Sequence, residues 1–137
     1  MTDASLAVQG AVRSALISSP TLTALVPAKN VRDRHAKPAD FPLVVVGDGQ
    51  TVREDTTYSR RTVRVYSDIH IWTKDDSLAA NCKPIAGAVV AALKSIPTIS
   101  GYSVVDHTYS GTRYLRDPSG EHSHAVVTFE TLLYENL

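Results

Sequence analysis

The chain is short of cysteine and carries no excess of either charge. A single Cys82 among 137 residues excludes an intramolecular disulfide and suits a reducing compartment. The thiol reads as a small buried apolar residue. Fourteen Lys and Arg balance fourteen Asp and Glu, which removes the basic surplus that gripping duplex nucleic acid or an anionic membrane would need. No stretch approaches the roughly 18 apolar residues of a membrane span. The opening MTDASLAVQGAVRS lacks a basic flank followed by an apolar signal core, so the expectation is a protein of the cytosol in which it is made. Several catalytic signatures are missing too: there is no GxSxG elbow, phosphate loop, HExxH or CxxC. The glycines of GDGQ at 47–50 lack the following helix that a dinucleotide site requires.

What is present suits one domain over residues 1–137, because 43% apolar residues suffice for a single core at this length. In LAVQGAVRSALISS the residues Leu6, Val8, Val12, Ala15 and Leu16 form a helical stripe, with Thr2, Asp3 or Ser5 as caps and Pro20 as its stop. TLTALV adds a short turn, and AKNVRDRHAKPADFP reads as a polar connecting loop. FPLVVVG is a β-branched run bounded by Pro42 and Gly47, a short strand buried on both faces. DGQTVREDTTYSRR, from Asp48 to Arg61, reads as an exposed hairpin arm or flexible loop.

RTVRVYSDIHIWT alternates, with Val63, Val65, Ile69 and Ile71 on one face and Thr62, Arg64, Asp68 and His70 on the other. A second helix follows on the stripe Leu78, Cys82, Ile85, Ala86, Val89 and Leu93, with Asp75, Asp76 and Ser77 as caps; Pro84 is tolerated if the helix starts near Asn81 and Cys82, and otherwise implies a kink. Two extended segments, YSVVDHTYSGTRYLR and HSHAVVTFETLLYE, end the chain. Asp117-Pro118-Ser119-Gly120 between them has type I turn chemistry closed by a glycine.

If Asp117 faces Glu121, then Arg116 faces His122, Tyr114 faces His124, Tyr109 faces Phe129 and Val105 faces Leu133. This register places Ala125, Val127, Phe129 and Leu133 on an apolar face and sends His122 and His124 to the opposite one. Two histidines two apart on a strand can chelate, but a metal needs further ligands, and the expected neighbour Arg116 is cationic. Asp68 and His70 offer an acid/base pair on one strand face, where alternation alone also puts polar residues. The expectation is no catalytic residue, no metal and no cofactor, with the histidines solvated or in contact with another subunit.

The order of LTALVPAKNVRDR (22–34), FPLVVVGD (41–48), VRVYSDIHIWTKDDS (63–77), IAGAVVAALKSIP (85–97) and YLRDPSGEHSHAVVTFETLL (114–133) resembles the tail-terminator or tail-completion proteins of long-tailed phages, prophages and gene transfer agents. The resemblance implies an α+β fold in which an antiparallel or mixed sheet of about four strands carries two helices on one face, with an extended hairpin arm. It also implies a homo-oligomeric ring, a hexamer, at the neck of a virion or particle tail. Such a ring caps the tail tube, stops its polymerisation and joins it to the head connector or stopper protein, with DNA only passing through the lumen and no membrane partner.

Asp48, Arg53, Glu54, Asp55, Arg60 and Arg61 on the arm, and Arg116, His122 and His124 at the hairpin end, are the candidate subunit or partner surfaces. The competing readings are a small metal-dependent or acid/base enzyme built on the strand histidines and a binding module of another kind.

Overall fold

The computed structural model describes residues 3–33, 41–54, 62–74, 82–116 and 122–136. Helix α1 spans Ala4–Ile17, and Asp3 caps it, its carboxylate accepting from the Ser5 N–H at 2.8 Å. That bond satisfies one of the donors a helix start leaves open. Ala4, Val8, Val12 and Leu16 recur every fourth residue and are buried. Leu6 was expected on this stripe but is 57% exposed, because two residues from Val8 is about 200° around a helix.

Pro20 does more than end α1. It opens a second helix, α2 (Pro20–Leu25), capped by Ser19, since the N–H that proline lacks has no helical partner in a first turn. A 3₁₀ turn at Ala28–Asn30 leads into β1, Val31–Arg32. This short strand lies where the sequence suggests only a loop. Pairing beside β2 (Leu43–Val46) gives its backbone groups partners that no local pattern announces.

β2, β3 (Gln50–Glu54), β4 (Thr62–Lys74), β5 (Tyr102–Arg116) and β6 (His122–Glu135) complete one sheet. Its order is β1-β2-β4-β6-β5, with β3 also paired to β4. The β1–β2 pair is parallel and the other pairs are antiparallel. The fold is α+β with a mixed sheet, as expected, but with six strands and three α-helices among the described residues. Part of the expected arm is strand: Gln50–Glu54 pairs with Tyr66 back to Thr62.

Helix α3 spans Cys82–Ala92, so Pro84 falls in its first turn, where it is tolerated. The expected caps Asp75, Asp76 and Ser77, and the stripe residue Leu78, lie outside the described residues. All three helices pack on one sheet face. Val8, Leu16, Leu22 and Val89 meet Val65, Ile69, Ile71, Val127, Phe129 and Leu133 there. Leu43 and Val45 point the other way yet are only 1% exposed, so β2 is buried on both faces, as its unbroken apolar run implies.

The final hairpin corrects the expected register. Arg116 pairs with Ser123 and Leu115 with His124, one residue away from the count made from the turn. An irregularity between Tyr109 and Gly111 absorbs the difference, so Tyr109 does oppose Phe129. A second between Val104 and Asp106 sets Val104, not Val105, against Leu133. Bulges add one residue to one strand, and counting outward from a turn cannot see them.

Candidate functional site

The sheet face away from the helices is the first candidate surface. Alternation along β4 places Arg64, Tyr66, Asp68, His70, Trp72 and Lys74 on it, and alternation along β6 adds His122, His124, Val126, Thr128 and Glu130. It divides into two halves. Toward the start of β4, Arg64 Nε lies 2.6 Å from Glu54 Oε1, and its Nη1 lies 3.7 Å from Glu130 Oε2. Glu54 holds the guanidinium further above its already high ordinary pKa, chiefly by that hydrogen bond. Asp68 accepts from the Thr128 hydroxyl at 2.8 Å. These are cross-strand ladders that tie β3, β4 and β6 together.

Toward the end of β4 the same face becomes aromatic. His70 Nδ1 lies 3.0 Å from His124 Nε2. Trp72 stacks on the His124 ring at 3.8 Å between centroids and 8° between planes, while Phe41 stacks on His122 at 4.8 Å. Around these rings Leu43, Val45 and Val126 are almost fully buried. The arrangement differs from the one counted along the sequence, which put His124 beside Tyr114 and His122 beside Arg116. His124 instead opposes Leu115 on β5 and Trp72 on β4. Sequence reasoning also missed its partner, since His70 lies in a strand that is not adjacent in the chain.

Asp68 and His70 do share a face, but each turns to β6, Asp68 to Thr128 and His70 to His124. No acid/base pair forms between them. Among the described residues no group of three or more His, Cys, Asp or Glu side chains could hold a metal ion.

A fourth histidine does structural work on the helix side. His107 Nε2 reaches the Leu93 carbonyl oxygen at 2.8 Å, and Nδ1 lies 2.8 Å from the Thr131 hydroxyl. Its ring stacks on Phe129 at 5.0 Å. With Nε2–H donating to the carbonyl, Nδ1 is left to accept from Thr131, so the neutral ring satisfies both neighbours. Burial lowers its pKa below the ordinary value. The effect is to pin the end of the α3 segment to strand β5.

The second candidate surface is the outer edge of β5, which bonds to β6 on one side. Val104, Val105, Tyr109, Tyr114 and Leu115 along it are all exposed. Of the residues expected at interfaces, Asp48 and Arg53 are exposed and Glu54 is half-buried against Arg64. Asp55, Arg60 and Arg61 lie outside the described residues, as does the side chain of Arg116.

The family of tail completion protein gp17 matches residues 10–134, and that span includes both surfaces. The chain belongs to this family. It is a tail completion protein, a structural component of a phage-type tail and not an enzyme. No curated protein matches it.

Among solved structures it resembles a chain of the virion of a native gene transfer agent particle, with a TM-score of 0.79 at 20% identity over 93% of this chain and 94% of that one. It also resembles the gp17 protein of bacteriophage SPP1, with a TM-score of 0.59 at 22% identity over 97% of this chain and 91% of that one. At such identities the likeness is one of fold. The tail completion protein thus shares its architecture with these structures.

Proposed function

We propose that this tail completion protein assembles into a ring, a hexamer, that caps the finished tail tube, stops its polymerisation and joins it to the head connector. The observation that carries the reading is membership of the tail completion family over nearly the whole chain. The molecule's form supports it. One sheet face is covered by helices, and the β5 edge leaves large apolar residues exposed for a partner to cover. The partners in this reading are further copies of the chain, the tail-tube protein and the head connector or stopper, with DNA passing through the lumen. The particle is a phage, a prophage-derived particle or a gene transfer agent.

Two measurements test it. Light scattering on the purified chain, followed by electron microscopy, should give a multiple of the monomer mass and closed rings. Added to polymerising tail-tube protein, the chain should end tube growth at one tip; tubes that lengthen unchecked in its presence would defeat the reading.

A further inference from the structure

We propose that the outer edge of β5 docks a second copy of this chain by strand addition, pairing with the neighbour's β3 at the opposite edge of its sheet. The proposal rests on the ring reading above and specifies the contact that would build the ring.

β5 is 15 residues long and is hydrogen-bonded to β6; among the described residues no strand pairs its other side. A long edge of this kind presents backbone donors and acceptors and is a template for another strand. Its side chains point the same way. Seven large apolar residues are exposed among the described residues, and five of them lie on β5, with Val105 the most exposed at 60%. Exposed apolar surface gathered on one strand marks a contact, where scattered residues would not.

The irregularities of β5 select the partner. They divide its pairing into Tyr102–Val104, Asp106–Tyr109 and Gly111–Arg116. A strand of about one such segment can pair between the irregularities without having to accommodate them. β3, at Gln50–Glu54, has five residues and pairs with β4. β1, the strand beyond β2 at that edge, has two. Charge agrees with the match, since exposed Arg53 lies on β3 and exposed Asp106 on β5.

Symmetry separates this contact from its rival. Joining β5 to β5 uses the same patch on both copies and closes at two. Joining β5 to β3 uses different patches, leaves one of each open on every growing end, and closes into a ring when the rotation per copy allows.

The test uses the full chain. Val105 sits where β5 bulges, outside the ladder with β6, so Val105→Arg should leave the thermal melt of the unassembled chain unchanged. It should raise the concentration needed for assembly by about tenfold or more. In parallel, chains carrying Arg53→Cys and Ser110→Cys are each treated with a short bismaleimide cross-linker, alone and mixed; native Cys82 is buried. Linked dimers should form in the mixture and not in either variant alone.

A wild-type chain that stays monomeric with and without tail-tube protein sinks the ring reading and this contact with it. A wild-type ring that tolerates Val105→Arg unchanged, or that cross-links through Ser110→Cys alone, overturns the β5–β3 contact and leaves the ring standing. If Val105→Arg fails to fold, the cross-linking pattern still decides.

Discussion

His70 Nδ1 lies 3.0 Å from His124 Nε2 across the β4–β6 pair, and Trp72 lies flat against the same His124 ring. One ring must donate and the other accept, so the contact fixes a complementary pair of protonation patterns on adjacent strands. Three aromatic side chains thereby cover an otherwise apolar part of the sheet face opposite the helices, which is how Val126 comes to be only 1% exposed there. Among the described residues no third ligand joins the two histidines, and their contacts there are stacking and hydrogen bonding.

His124→Ala removes the stack on Trp72 and the hydrogen bond to His70 together. The expected loss is about 1–3 kcal/mol, from an aromatic pair plus a half-buried hydrogen bond. Trp72 is the chain's one tryptophan, so its fluorescence reports the site directly. Both the urea midpoint and the emission of the folded state should shift. If neither moves, the stacked arrangement is not the one present in solution.

Much of this was legible in the sequence, and the misses share one cause. The i, i+4 stripe of α1, the β-branched run of β2 and the strict alternation of β4 and β6 are local patterns, and each became the element it predicted. So did the facing of His122 and His124 away from the helices, because alternation within β6 alone decides it. The contact of His124 with His70 depends on β6 lying between β4 and β5, which no local period encodes. β1 needs its parallel neighbour to exist; the bulge beside Val105 has no glycine or proline next to it, and Gly111 beside Ser110 does not by itself announce the other. The apolar edge of β5 was hidden for the same reason, since a strand's exposure depends on its place in the sheet.

The turn from β2 into β3 depends on two glycines. A side chain at Gly47 would place its Cβ 2.9 Å from the Asp68 carbonyl oxygen, and at Gly49 the same distance from that of Tyr66, with φ at +77°. Gly47→Ala meets backbone that cannot step aside cheaply, and Gly49→Ala adds left-handed strain to the clash. Each should cost about 1–3 kcal/mol in equilibrium denaturation, with Gly49→Ala the more damaging. A neutral Gly49→Ala would show that the 47–49 link takes another path.

Asp3 joins two elements. Its carboxylate caps α1 through the Ser5 N–H and accepts from the Thr51 hydroxyl on β3 at 2.7 Å. The Thr51 bond, and after it Ser5, lowers its pKa below the ordinary carboxylate value. The linked stability is present above that ordinary value and is lost as pH falls through the lowered one. Asp3→Ala should cost about 1 kcal/mol, a typical cap loss for an exposed site. Thr51→Val should bring the Asp3 pKa, followed by NMR, back toward normal while the cap persists. An unchanged titration in that variant would remove Thr51 as the cause.

His107 gives the opposite kind of group a similar dependence on pH. Burial lowers its folded-state pKa, outweighing the Leu93 carbonyl and Asp106, which both raise it. The unfolded chain therefore binds a proton more readily than the folded one between the lowered value and the ordinary histidine value. In that window the unfolded state gains relative to the folded one as pH falls, so stability declines from near the ordinary value downward and levels off below the folded pKa. Urea denaturation across this range should show that slope. His107→Gln should remove this residue's share of the slope, and it should lower stability at neutral pH because the Leu93 carbonyl oxygen and the Thr131 hydroxyl lose well-placed partners. The single variant thus has two separate signatures. A variant that loses neutral-pH stability but keeps the full slope would assign the pH dependence to another histidine, while retaining His107 as the link between the α3 segment and β5.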